Sequence, residues 1–103
     1  MVTFSIASAA APDQSELGIS IPLPIVFRLY HIGRAYDLHQ IKNLHPTGSV
    51  AFDYISQQLL TQELEQIAEL ISDPVLHHFC DLLLPYLKAG RADTKSMLIV
   101  RVP

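Results

Sequence analysis

Only one cysteine, Cys80, occurs in the 103 residues. No internal disulfide can form, so the fold must hold together without an oxidising compartment. Glycine is scarce too, with four residues in the chain. Gly33 stands apart from the others, which leaves no glycine-rich loop to cradle a phosphate. Charged residues make up 17% of the sequence, against about 25% in average soluble domains. The formal charge is -3 and the pI about 5.9, so the basic stripe of a nucleic-acid module is missing. Apolar runs such as Leu82-Leu83-Leu84 fall far short of the roughly 20 residues that span a bilayer. No Lys or Arg precedes Arg28, and Thr3 and Ser5 interrupt the first apolar stretch. The segment ending in Ala9 and Ala11 therefore reads as a strand and not as a secretory signal. Together these absences predict a cytoplasmic protein with no nucleic-acid or membrane partner.

Half of the residues are hydrophobic, which excludes a disordered tail. A chain of this length forms one domain over 1–103 and buries roughly two thirds of its unfolded surface. A core without metal or disulfide is within its reach.

The pattern along the chain separates into strands and helices. Residues 2–8 alternate, with Val2, Phe4 and Ile6 on one side and Thr3, Ser5 and Ala7 on the other, the period of a half-buried strand. Residues 9–18 are polar and turn-forming and read as a loop. Residues 19–32 also alternate, which favours an extended segment. Pro22 and Pro24 confine its first half to a sheet edge, and Pro24 alternatively opens a helix through 25–32. Gly33 is expected to break this segment, a short helical turn to cover 35–42, and 43–49 to be loop.

From about residue 50 to 71 the spacing becomes helical. Phe52, Ile55, Leu59, Leu60, Leu64, Ile67, Leu70 and Ile71 form an apolar face, and Gln58, Gln62, Glu65 and Glu69 a polar stripe opposite it. Asp73-Pro74 is a helix start, with a side-chain acceptor before a first-turn proline. The second helix carries Leu76, Phe79, Cys80, Leu83 and Leu87, with a kink or break expected near Asp81–Leu84 from Pro85 and a stop at Gly90. Met97–Val102 is apolar on both faces apart from Arg101, as a central strand would be. The fold class is α+β: a small antiparallel sheet of about three strands packed against an antiparallel helical hairpin.

Charge is distributed unevenly along this plan. Between Lys42 and Lys88 there is no Lys or Arg, while Asp53, Glu63, Glu65, Glu69, Asp73 and Asp81 all fall in that interval. Glu65 and Glu69 lie one helical turn apart with no cation beside them in sequence, a spacing that costs a helix roughly 0.2–0.5 kcal/mol. An ordinary solvated helix face accounts for this pattern, and so does a face kept for a cationic partner.

Two groups of residues carry ligand or acid–base chemistry. In His77-His78-Phe79-Cys80-Asp81, the trio His77, Cys80 and Asp81 sits at i, i+3 and i+4, a spacing that begins a zinc site or pairs a thiol with an imidazole. Against this, Cys80 falls within the apolar helical pattern and no C-x-x-C or H-E-x-x-H spacing is present. Tyr30, His31, Tyr36, Asp37, His39 and His45 form a looser polar group around Gly33, with a spacing that selects no catalytic geometry.

The run Leu59-Leu60, Glu63-Leu64, Ile67, Leu70-Ile71-Ser72-Asp73-Pro74, followed by a leucine-rich helix and a terminal strand, resembles some small bacterial immunity proteins, which bind and neutralise a cognate toxin domain. The likeness covers about residues 50–102 and rests on helix spacing and turn chemistry. It implies a non-catalytic inhibitor, and the acidic hairpin suits a basic toxin such as a nuclease.

Three functional readings follow. The first is a small protein-binding domain without catalytic residues or cofactor, an immunity or inhibitor protein that contacts a basic partner through Gln58, Gln62, Glu65 and Glu69. The second is a homo-oligomeric subunit, because Tyr54, Tyr86 and the leucines of Leu82–Leu84 leave apolar surface over for another copy. The third is a metal site on His77, Cys80 and Asp81.

Overall fold

The computed structural model of the chain describes residues 1–8, 18–44, 48–90 and 96–102. Strand β1 (Val2–Ser8) leads to a short strand β2 (Ile19–Ile21), helix α1 (Leu23–Ala35) and a single 3-10 turn (Ile41–Asn43). Strand β3 (Val50–Phe52), helices α2 (Tyr54–Leu70) and α3 (Pro74–Gly90), and strand β4 (Ser96–Arg101) complete the order. The sheet is antiparallel throughout, in the order β2-β1-β4-β3. The α+β class is as expected, but the sheet has four strands where about three were expected. The additional strand is β3, whose three residues sit at the start of what reads in sequence as helical spacing.

Register explains the core. Phe4 pairs with Val100, and Leu98 with both Ile6 and Phe52. Period-two alternation then puts Val2, Phe4, Ile21, Phe52, Leu98 and Val100 on one face. That face packs on Leu60, Leu64 and Ile67 of α2 and on Leu76, Cys80, Leu83 and Leu87 of α3. One buried cluster draws on every element of the fold. On the opposite face Ser5 and Ala7 are also buried, although the alternation marks them for the open side. Both are small, and each lies across from a much larger residue, Ile99 and Met97 respectively.

Residues 19–32 are not one extended segment. The chain is extended only to Ile21 and turns helical at Leu23, the alternative that Pro24 allowed. The Pro22 carbonyl accepts from the N–H groups of Ile25 and Val26, and Pro24 occupies the first turn, where a missing N–H costs nothing. Ile25, Val26, Leu29 and Gly33 are the buried positions of α1. Phe27, which alternation placed with Ile25 and Leu29, is exposed.

Gly33 does not break the segment either. It lies inside α1, where a Cβ would come within 2.7 Å of Ile41 Cγ2 and 2.8 Å of the Lys42 nitrogen. The glycine is there to let the 3-10 turn approach the helix. The helix ends instead at Ala35 with Tyr36 as its cap, and Asp37 follows in the left-handed region with φ 54°.

The second helix of the hairpin starts at Asp73-Pro74 as the sequence indicates. The first begins at Tyr54 and not near residue 50, because 50–52 is taken by β3. Asp53 accepts from the Ser56 N–H at the head of α2, and Asp73 accepts from Val75 and Leu76 at the head of α3. Pro85 does not interrupt α3, which runs on to Gly90. Proline removes the bond to the Asp81 carbonyl, but both residues are exposed, so water can serve that carbonyl. The loop expected over 9–18 and the residues 91–95 fall largely or wholly outside the described residues. So do 45–47 of the loop expected over 43–49, whose first residue, Asn43, belongs instead to the 3-10 turn. Among the described residues, no helix is long and apolar enough to cross a membrane.

Two side chains from the hairpin finish the sheet. Tyr86 of α3 accepts at its hydroxyl from the Ile6 N–H, 2.9 Å away and beyond the last β1–β2 pair at Phe4. Gln57 of α2 is fully buried and donates from Nε2 to the carbonyls of Phe52 and Ser96, at 3.2 and 3.1 Å. Those carbonyls lie where the β3–β4 ladder ends.

Candidate functional site

The four residues of the polar stripe project from the outer side of α2. Gln58 is half-buried, and Gln62, Glu65 and Glu69 are exposed. The core-facing residues Gln57, Leu60, Thr61, Leu64 and Ile67 define the opposite side of the helix, so the stripe faces solvent as its spacing predicts.

The apolar face is narrower than the sequence indicates. Ile55, Leu59 and Leu70 are 67%, 42% and 60% exposed, although their spacing placed them with the core. At 100° per residue they fall opposite Leu64, in line with Gln62 and Gln66. The outer side of α2 is thus a mixed surface, with three large apolar side chains bordered by amides and carboxylates.

Most acids of the hairpin have partners inside the molecule. Glu65 meets Lys88 of α3 at 3.0 Å, a cation that is remote in sequence and adjacent in the hairpin. Glu63 accepts from the backbone N–H groups of Gln40 and Ile41, at 3.0 to 3.1 Å, and so caps the 3-10 turn. Asp73 is bonded to Arg28 of α1. Its carboxyl is held below the ordinary value first by that guanidinium and then by the Leu76 and Val75 amides. Asp53 is held low by the Ser56 N–H. Among the described residues, only Glu69 and Asp81 of the six acids have no such partner.

The trio His77, Cys80 and Asp81 is divided. Cys80 is in the core, where burial and then the Asp81 charge push its thiol up to about 11, the opposite of an activated nucleophile. His77 Nε2 donates to the Ile71 carbonyl, 2.7 Å away, which leaves that nitrogen without a lone pair for a metal. Asp81 is exposed. Among the described residues, no three His, Cys, Asp or Glu side chains are placed to hold a metal ion. Helical spacing alone does not bring a buried thiol and two surface groups to one point. Ser72, Asp73, Pro74, His77, His78 and Asp81 do line a depression of about 520 Å³ at the head of α3, but it is broadly open to solvent.

The loose polar group around Gly33 does not converge either. Asp37 pairs with Lys42 at 2.8 Å, and this pairing, more than the nearby His39, lowers its carboxyl. His45 lies outside the described residues. What the sequence reading missed is a ladder of rings on α1. His31 stacks on Phe27 at 6.3 Å with an interplanar angle of 23°, and meets Tyr30 edge-on at 5.5 Å. The Arg34 guanidinium lies 5.8 Å from the Tyr30 ring centre. The signal was available in the i, i+4 spacing of 27/31 and 30/34, hidden only because the segment reads as extended.

Compared with known proteins, the chain matches no family model, no curated protein and no solved structure.

Proposed function

We propose that this chain is a non-catalytic protein-binding domain that docks a cationic partner protein on the outer side of α2. The observation that supports it is the exposure of Ile55, Leu59 and Leu70 beside Gln62 and Glu69. An apolar centre with a polar rim is the anatomy of a protein interface. Glu69, without a cation of its own among the described residues, gives the partner's charge its sign, and Gln58, Gln62 and Glu65 form the rim. Inhibition of a basic enzyme or toxin domain is the specific form of this reading, favoured by the likeness to immunity proteins. The lone buried thiol suits action in the cytoplasm.

Co-expression with the neighbouring reading frames, followed by native mass measurement, tests the proposal. The expected product is a complex with one different, basic chain. Glu69→Lys should then slow association about tenfold while leaving folding intact. An association rate unchanged by Glu69→Lys removes the assignment of this face.

A further inference from the structure

We propose that the α2 surface also binds a second copy of this chain, through the ring-and-arginine ladder of that copy's α1. The inference rests on the reading of α2 as a docking surface and concerns how that surface is regulated.

Charge is the first argument. Residues 18–44 carry Arg28, Arg34 and Lys42 against one acid, Asp37, while residues 48–90 carry six acids against Lys88. Within the molecule, Arg28 is taken by Asp73, Lys42 by Asp37 and Lys88 by Glu65. Among the described residues this leaves Arg34 without a carboxylate on one side, and Glu69 and Asp81 without a cation on the other. One molecule thus displays both halves of an ion pair that it does not make itself.

Preorganisation is the second. A guanidinium held over the Tyr30 ring, 5.8 Å from its centre, has less freedom to lose when it grips a carboxylate. The ring stack below it holds Phe27 and His31 in place, and Phe27 is 40% exposed. Arginine and rigid aromatic rings are the residues that concentrate binding energy at interfaces.

Spacing is the third. Arg34 follows Phe27 by seven residues, two helical turns or about 10 Å. Glu69 follows Gln62 by the same seven residues on α2. Laid parallel, α1 of one copy and α2 of another set Arg34 against Glu69, His31 against Gln66, and Phe27 beside Leu59 and Gln62. Two such contacts made reciprocally close a two-fold dimer. The dimer covers the α2 surface until a cationic partner displaces it, so α1 is a built-in competitor for the surface.

Light scattering on the purified full chain tests this without the heterologous partner. From micromolar to millimolar concentration at low salt, the mass should rise from one chain to two, and molar salt should reverse the rise. Arg34→Glu and Glu69→Arg should each weaken dimerisation about tenfold, and the double variant should restore it by exchanging the charges. Both side chains, Arg34 and Glu69, are exposed, and circular dichroism checks that each variant folds. A single-chain mass throughout overturns the proposal, and so does a dimer indifferent to either reversal or not restored by the double variant. None of these results touches the docking of a cationic partner, which Glu69→Lys decides separately.

Discussion

The Tyr86 hydroxyl on α3 accepts from the backbone N–H of Ile6 on β1, 80 residues away in sequence. A helix side chain thereby takes the place that a longer β2 would have filled. Tyrosine 86 belongs to the fold and is not surplus apolar surface. Tyr86→Phe leaves the amide without a partner and should destabilise the protein by about 1–2 kcal/mol. The urea midpoint should fall, and the Ile6 amide should exchange faster with deuterium. An unchanged midpoint with unchanged exchange would falsify this role.

Gln57 does the equivalent work at the other end of the sheet. Gln57→Leu removes the bonds donated to the carbonyls of Phe52 and Ser96, and also the buried Oε1 atom, which has no hydrogen-bond partner among the described residues. The two effects oppose each other, and loss of both donated bonds outweighs removal of one orphan acceptor. The net loss should be about 1–3 kcal/mol by denaturant unfolding. Gln57→Glu should be worse at neutral pH, because it buries a charge and turns a donor into an acceptor.

Gly33→Ala should destabilise even though alanine is the better helix former. The new methyl meets Ile41 and the Lys42 backbone at under 3 Å, and a backbone atom cannot swing aside. The cost expected of such crowding is about 1–3 kcal/mol, read as a lower melting temperature. A stabilised Gly33→Ala protein would mean that the 3-10 turn moves freely off α1.

Acid should unfold the protein through two helix caps and the Asp37–Lys42 pair. Asp53, Asp73 and Asp37 are all held below their ordinary value of 3.8 in the folded state. A depressed carboxylate contributes stability above its unfolded value and loses it as pH falls through the folded one. Melting temperature should therefore decline on going below about pH 4. Asp73→Asn, which cannot ionise, should make that decline shallower. An equally steep acid loss in Asp73→Asn would remove Asp73 from the account.

Cys80 should be inert in the native protein. With the thiol pushed up to about 11 and buried, little thiolate exists near neutral pH for an alkylating reagent to capture. Iodoacetamide should label Cys80 only after denaturation. Rapid native labelling would show that α3 opens locally.

The parts of this fold visible in sequence are those whose residues act locally. The alternation of Val2–Ser8, the Asp73-Pro74 start and the leucine spacing of α2 and α3 each depend on neighbours a few positions away. The segment Ile19–Tyr30 was ambiguous because its apolar residues satisfy both periods. Only packing, with Val26 buried and Phe27 exposed, decides in favour of the helix. The acidic hairpin was half legible in the same way. Sequence shows that Glu65 has no nearby cation, but not that the hairpin turn brings Lys88 to it, nor that Glu63 caps a turn 22 residues earlier. Gln57 and Tyr86 escaped for a related reason, since their partners are backbone groups at strand ends that no side-chain pattern marks.

The pairing of β1 with β4 joins Thr3 to Arg101 and Ser8 to Ser96. During synthesis, β1 and β2 can form no more than a three-pair ribbon before β4 emerges from the ribosome. The leucine faces of α2 and α3 are by then complete and have no sheet to cover. Folding must therefore wait for the last strand, and closing a loop of this length makes its nucleation slow. A chain truncated before Ser96 should be a client of chaperones and proteases, because it exposes two amphipathic helices without the surface they were shaped to meet.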